Sequence, residues 1–165
     1  MLSSLTPQRA AILIFGTALA TIVGAWIFEY FGYAPCELCL LQRWAYYAGV
    51  PLAIAVALVA PRNEGLARTG LVLLVLLWLG SMVFGSYHSG VEWKWWPGPT
   101  TCTSQGSFSG GRPDLSAPVV LCDTPAIRIL GLSLAGWNGV ISLGLALLAL
   151  AGLRSQGSSS VSQYR

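Results

Sequence analysis

The sequence predicts an all-α integral membrane protein: a bundle of four transmembrane helices with a long cysteine-containing loop between spans three and four. Composition is the first observation behind this prediction. Of 165 residues, 55% are hydrophobic and 9% are charged, and the mean hydropathy is +0.65, whereas about a quarter of the residues in a soluble domain are charged. The second observation is that four continuous apolar blocks each approach the ~20 residues that a helix needs to cross a bilayer. Unbroken runs favour helices over barrel strands, which alternate in polarity. The blocks cover residues 10–28, 40–60, 66–87 and 131–153.

These blocks place one domain at residues 1–153, with outer loops at about 29–39 and 88–130. The tail, residues 154–165, is polar and rich in serine, so we expect it to be disordered. The small net charge of +3 argues against nucleic acid as a partner.

The first block also has features of a signal peptide, because Arg9 precedes an apolar stretch with small residues at 18–20. The apolar run continues to Phe28, which exceeds the ~7 to 15 residues of a signal's central region. We therefore expect an uncleaved membrane anchor.

Basic residues near the span ends predict the orientation. Lys and Arg are enriched in cytoplasmic loops, and they are more frequent on the side that holds both termini. We expect both termini in the cytoplasm. The basic residues are Arg9, Arg62, Arg68 and Arg154 on that side, and Lys94 and Arg128 on the other.

The four cysteines form two pairs that share one side of the membrane. Cys36 and Cys39 precede span two, Cys102 and Cys122 lie between spans three and four, and two crossings separate the pairs. If the charge pattern is right, that side is the outer, oxidising compartment, where disulfides persist. Between the later two cysteines the loop is rich in Gly, Ser and Pro, which favours mobility.

Each pair has more than one interpretation. Cys36 and Cys39 form a Cys-x-x-Cys motif, which constrains little as a disulfide and usually exchanges electrons. Cys102 and Cys122 suit a disulfide that is either redox-active or only a staple for the loop. Four thiolates also match a zinc site, but no second knuckle is present, so we predict no metal.

Arg43 lies four residues after Cys39, which is one helical turn on the same face. Its positive charge, together with the helix N-terminus, is expected to stabilise the Cys39 thiolate. The alternative is that Arg43 extends to lipid headgroups.

The chain carries no dinucleotide fingerprint and no haem motif, so its electron acceptor is predicted to be a lipid-soluble carrier. A quinone fits because it accepts two electrons and two protons, and Arg43 could hydrogen-bond its carbonyl oxygens. His88, the only histidine, lies on the same side and is expected to stabilise or protonate the quinone. Glu92 could pair with His88 if the third helix continues that far.

Three segments carry a resemblance over nearly the whole chain: PCELCLLQRWAYY, YHSGVEWKWWPGPTTC and LCDTPAIRILGLSLAGWN. Together they resemble the disulfide bond formation protein B (DsbB) family of bacterial inner membranes. Vitamin K epoxide reductase relatives carry the loop cysteines before the Cys-x-x-Cys, whereas here they follow it.

The resemblance implies a thiol:quinone oxidoreductase that reoxidises a periplasmic, DsbA-like thioredoxin-fold oxidase. Cys102 would form the mixed disulfide with that partner, and its loop mate Cys122 would engage Cys36. Cys39, next to Arg43, would pass the electrons to ubiquinone or menaquinone.

The resemblance also places His88 on the quinone side and both cysteine pairs on the periplasmic face of the inner membrane. The chain departs from the family pattern at Ile127, where an aromatic residue is common, and at Ala45, where proline is frequent. These departures concern how the loop docks on the bilayer.

Two other classes use the same residues. A quinone-linked thiol reductase of the vitamin K epoxide reductase type would run the electrons in the opposite direction. A non-enzymatic membrane scaffold would use its disulfides only as staples.

Overall fold

In a computed structural model the chain forms four long helices that pack as a bundle, as the apolar blocks predict. The structure describes residues 5–103, 107–109, 112–114 and 121–162. Helix α1 spans Pro7–Tyr30, α2 spans Glu37–Val59, α3 spans Glu64–Glu92 and α4 spans Leu134–Ser162.

Polar side chains begin the first three helices. Thr6 accepts a hydrogen bond from the Arg9 N–H at 3.3 Å, and Asn63 accepts one from the Leu66 N–H at 2.9 Å. At the start of α2 the cap is a cysteine: Cys36 Sγ accepts a hydrogen bond from the backbone N–H of Cys39, the third residue of the helix. Each cap satisfies one of the free N–H groups of a helix N-terminus.

Three helices of the described part of the chain are long and apolar enough to cross a membrane: α1, α3 and residues 134–155 of α4. Helix α2 has 23 residues, which is also a sufficient length. Its second turn carries Gln42 and Arg43, however, and these lower its hydropathy. Four helices are thus present, and the crossing of the bilayer by α2 stays a prediction.

Several boundaries differ from the sequence prediction. Helix α3 continues to Glu92, five residues past the predicted end, and α4 begins at Leu134 rather than at 131. A short hairpin takes the intervening residues: strand Arg128–Ile129 pairs with Leu132–Ser133. Leu130 and Gly131 between them both have positive φ, the backbone conformation that two-residue hairpins favour.

The tail and the outer loop are described only in part. Helix α4 runs to Ser162; the disorder expected of residues 154–165 stays a prediction. In the loop, strand Ser107–Ser109 pairs with Arg112–Asp114. The glycine-rich positions Gly106, Gly110 and Gly111, on which the predicted mobility rests, lie outside the described residues.

The helices pack in ring order, α1 on α2, α2 on α3, α3 on α4 and α4 on α1. Large apolar side chains fill the interior, and the Tyr46 ring meets the Trp78 ring edge to face at 5.1 Å. Two polar pairs lie among them. The Tyr46 hydroxyl donates to Asn138 Oδ1 at 2.6 Å, and the Ser81 and Ser142 hydroxyls lie 2.9 Å apart. Hydrogen bonds of this kind between polar side chains of neighbouring helices are typical of helix bundles in membranes.

Close approach of α3 and α4 depends on Gly85. A Cβ atom at this position would lie 2.9 Å from the backbone nitrogen of Gly139 and 3.1 Å from the carbonyl oxygen of Ala135. Both neighbours are backbone atoms, so they cannot move aside as a flexible side chain would. Small residues at helix contacts are typical of membrane bundles.

We expect Gly85→Ala to lower the free energy of unfolding by roughly 1–3 kcal/mol, because the added methyl group overpacks the α3–α4 contact. Thermal unfolding in detergent measures the effect. Gly80→Ala is the matched control on the same helix, since a Cβ there meets nothing within 4 Å. Equal unfolding temperatures for the two variants would contradict this account.

Candidate active site

All four cysteines meet in one buried cluster at the end of the bundle where α2 begins. Cys36, Cys102 and Cys122 are each at most 4% exposed, and they pack with Leu38, the partly buried Cys39 and Phe84. Cys102 and Cys122 are joined in a disulfide, while Cys36 and Cys39 are free thiols whose Sγ atoms lie 2.6 Å apart. The Cys102–Cys122 disulfide thus packs directly against the Cys36–Cys39 pair.

Short local elements bring the disulfide to the helix end. Cys102 lies in a 3-10 helix, Thr100–Thr103, that contacts α2. On the other side, Asp123 follows Cys122 directly and forms an ion pair with Lys94, just after α3. The ammonium group of Lys94 lowers the pKa of the exposed Asp123 carboxyl by hydrogen bonding to it. Both halves of the disulfide are thus connected to the helices beside them.

His88 lies at the centre of the site and is 1% exposed. Its Nδ1 atom lies 2.8 Å from the amide nitrogen of Gln42 on α2. Its Nε2 atom lies 3.6 Å from Cys36 Sγ and 3.3 Å from the carbonyl oxygen of Cys122. The single imidazole therefore contacts both cysteine pairs, a placement that sequence spacing did not predict.

The continued helix α3 also places Glu92 on the same face as His88. One carboxylate oxygen, Oε1, lies 3.9 Å from His88 Nε2. Gly90 lies inside this helix and gives room to Trp96, whose nearest ring atom would lie 2.0 Å from a Cβ at that position. The Trp96 indole N–H donates to the Tyr87 carbonyl oxygen at 3.0 Å, which holds the chain after α3 against the helix.

Arg43 has a different partner from the one its spacing suggested. Its guanidinium donates to Glu29 Oε2 at 2.6 Å, near the end of α1. Within the described residues no hydrogen bond or ion pair joins Arg43 to Cys39. Arg43 thus connects α2 to α1, and its expected role in stabilising the Cys39 thiolate has no contact to support it.

The surroundings of Cys36 favour its thiolate instead. Hydrogen bonding with the Cys39 side chain lowers the pKa of Cys36 most, and His88 and the Cys39 backbone N–H lower it further, while burial opposes them. Cys36 also caps the N-terminus of α2, where the helix dipole stabilises negative charge. In this arrangement the contacts favour the thiolate at Cys36 rather than at Cys39.

An apolar groove of about 550 Å³ runs along the outside of the bundle between α2 and α3. Its walls are mostly aliphatic and aromatic, and Gln42 and Ser81 supply its polar side chains. Neither Arg43 nor His88 lines the groove. The lining residues are Leu41, Gln42, Trp44, Ala45, Ala48, Leu76, Leu77, Gly80, Ser81 and Phe84.

Gln42 is the residue that sequence reasoning missed. It is 8% exposed, lines the groove and contacts His88, so it joins the groove to the sulfur cluster. One signal was available: an amide inside a predicted span is costly to bury without a partner, so it implies a polar neighbour in the bundle.

The sulfur cluster also has the geometry of a metal site. Cys36 Sγ, Cys39 Sγ and a ring nitrogen of His88 lie within 4.8 Å of one another. Thiolate and imidazole are ligands that zinc prefers. That the site works without a metal therefore stays a prediction.

We expect His88→Leu to raise the pKa of Cys36, because it removes the imidazole that stabilises the thiolate. The lowered pKa means that the thiolate persists at pH values where an ordinary thiol is protonated, and it is lost as pH falls through that pKa. Ultraviolet absorbance of thiolates against pH measures this, in a Cys102→Ser/Cys122→Ser background that leaves two thiols.

Arg43→Gln is the comparison variant for this titration. Since Arg43 pairs with Glu29, its replacement should leave the Cys36 transition where it is. A shift with Arg43→Gln and none with His88→Leu would show that Arg43, not His88, stabilises the thiolate.

The amino-acid sequence matches the model of a known protein family over most of its length. The model of the family described as "Disulfide bond formation protein DsbB" matches residues 7–152. Proteins named "Disulfide bond formation protein B" from Azoarcus sp. (strain BH72) and Polaromonas sp. (strain JS666 / ATCC BAA-500) are each 27% identical. The matches cover 87% of this chain and 89% of each relative.

A further relative, "Uncharacterized protein RP370" from Rickettsia prowazekii (strain Madrid E), is 27% identical over 86% of this chain and 84% of its own length. No solved structure matches the chain significantly. The family match spans the bundle and every residue of the cysteine cluster. The chain belongs to the DsbB family, and it is a membrane protein of disulfide bond formation.

Proposed function

We propose that the protein is a thiol:quinone oxidoreductase that reoxidises a DsbA-like, thioredoxin-fold dithiol protein. The observation that carries this proposal is the packing of the Cys102–Cys122 disulfide against the Cys36 and Cys39 thiols, with His88 Nε2 in contact with both pairs. A disulfide that only stapled the loop would not need a dithiol beside it.

Thiol–disulfide exchange takes place first with the partner protein and then between the two cysteine pairs of this chain. A thiolate of the reduced partner attacks the Cys102–Cys122 disulfide, and the partner leaves oxidised while both loop cysteines become thiols. The loop dithiol then reduces a Cys36–Cys39 disulfide through a Cys36–Cys122 mixed disulfide, and regains its own bond. The packing of the loop disulfide against the Cys36–Cys39 pair supports direct exchange between the two pairs. When Cys102 attacks the mixed disulfide, Cys36 is released, and a stabilised Cys36 thiolate is the better leaving group there.

The residues present fit a quinone. The α2–α3 groove has the apolar walls and the volume typical of cofactor sites, about 300–1,000 Å³. When bound, a quinone would supply an acceptor for the two electrons and two protons that Cys36 and Cys39 release on forming their disulfide. Gln42 would hold the quinone's polar edge from within the groove. Contacts of Cys39, Arg43 and His88 with ubiquinone or menaquinone remain part of the proposal.

The proposed setting is the bacterial inner membrane, with both termini in the cytoplasm and both cysteine pairs facing the periplasm. The lengths of α1, α3 and α4 support membrane insertion. The common location of all four cysteines at one end of the bundle supports a single face for the chemistry.

Thiol trapping in native membranes tests this function. We expect all four sulfurs to be oxidised when the respiratory chain operates, and to become reduced when it is inhibited, because the quinone pool then fills with quinol. Sulfurs that stay oxidised in both conditions would contradict the relay.

Purified protein with quinone separates the remaining alternatives. Oxidation of a thioredoxin-fold dithiol supports the proposal, whereas reduction of its disulfide would identify a reductase. Cys39→Ser is expected to abolish turnover, and full activity in that variant would favour a scaffold. Ser142→Ala, which changes a polar contact in the bundle interior, is the control for general damage.

A further inference from the structure

The two ring nitrogens of His88 have chemically different neighbours. A neutral imidazole carries one N–H donor and one acceptor nitrogen, and which is which depends on these neighbours. Nδ1 faces α2, where its hydrogen-bond partner is the Gln42 side-chain amide at 2.8 Å. Nε2 faces the cysteine cluster.

Among the described residues, the polar contacts of Nε2 are to acceptors or to groups that become acceptors on ionisation. These are the Cys122 carbonyl oxygen at 3.3 Å, Cys36 Sγ at 3.6 Å and Glu92 Oε1 at 3.9 Å. An unprotonated Nε2 would direct its lone pair at the lone pairs of the carbonyl oxygen, which is unfavourable in a buried site. The Nε2 surroundings therefore favour a proton on Nε2.

The Nδ1 surroundings are compatible with the same tautomer. With the proton on Nε2, Nδ1 must accept a hydrogen bond, and the amide –NH₂ of Gln42 is a donor. Gln42 and His88 are 8% and 1% exposed, so water does not compete easily for either nitrogen. With a proton on Nε2, both ring nitrogens have a suitable partner only when the Gln42 amide donates to Nδ1.

We propose that Gln42 is a positioning residue that holds His88 in the Nε2–H tautomer. This places one proton donor between the Cys36 sulfur and the backbone next to the Cys122 sulfur. The tautomer follows from the contacts alone, while its use, to steady Cys36 during exchange with Cys122, rests on the proposed function.

Nuclear magnetic resonance of ¹⁵N-histidine-labelled full-length protein in detergent tests the tautomer directly. His88 is the only histidine, so the protein gives one pair of ring-nitrogen signals. Spectra are recorded with a chelator, well above the ordinary imidazole pKa of about 6.5. We expect a protonated Nε2 and an unprotonated Nδ1 in the wild type.

Two variants of Gln42 show whether this residue sets the pattern. Gln42→Glu keeps the size of the side chain but replaces the donor with an acceptor, so the proton should move to Nδ1 or both nitrogens should become protonated. Gln42→Leu removes the donor, and the single Nε2–H pattern should be lost. If Gln42→Leu does not fold, Gln42→Glu carries the test, and Ser142→Ala should keep the wild-type pattern.

A protonated Nδ1 in the wild type, or an unchanged Nε2–H pattern in the folded Gln42 variants, would overturn the proposal. These spectra involve neither quinone nor a partner protein. A wild-type protein that failed to oxidise a dithiol would therefore count against the proposed function and not against the tautomer.

Discussion

Burial of the His88 imidazole is the constraint on which the site depends. A polar ring that is 1% exposed must find hydrogen-bond partners inside the protein, and the partners come from two segments. Gln42 and the N-cap Cys36 belong to α2, and the Cys122 carbonyl comes from the loop. Satisfying one ring therefore brings together the two pairs of sulfur atoms.

The bundle makes this burial possible by rigid packing below the site. Gly85 allows α3 and α4 to approach until backbone atoms are in contact, and Trp78 fills the space left by Gly49 on α2. Such contacts fix the position of α3 relative to its neighbouring helices, and His88 lies less than one turn after Gly85. Displacement of α3 by one turn would move the imidazole away from Gln42 by about 5.4 Å.

The thiol pair combines two effects that act on the same sulfur. Cys36 is the N-cap of α2, so the first free N–H groups of the helix point toward it; the Cys39 backbone N–H donates to Cys36 Sγ, and the two sulfur atoms are hydrogen-bonded to each other. Cys39 lies within the helix and cannot have the same role. The groove beyond Gln42 offers an apolar surface close to this pair without exposing the sulfurs to it directly.

Sequence alone determined the features that depend on local composition. The apolar blocks established four helices, and the Cys-x-x-Cys and the later cysteines established two candidate redox pairs, because neither inference requires knowing how the helices are rotated. The order of motifs was also sufficient to indicate the family, which the family match over residues 7–152 confirms.

Tertiary structure decided every contact between helices. Spacing placed Arg43 one turn from Cys39, yet the guanidinium turns to Glu29 on α1, because a long side chain can reach a carboxylate on a neighbouring helix. Gln42 gained its importance only when α3 brought His88 opposite to it. A start of α2 at Glu37, three residues before the apolar block, made Cys36 the helix cap, and a boundary of that kind depends on the capping hydrogen bond rather than on hydropathy.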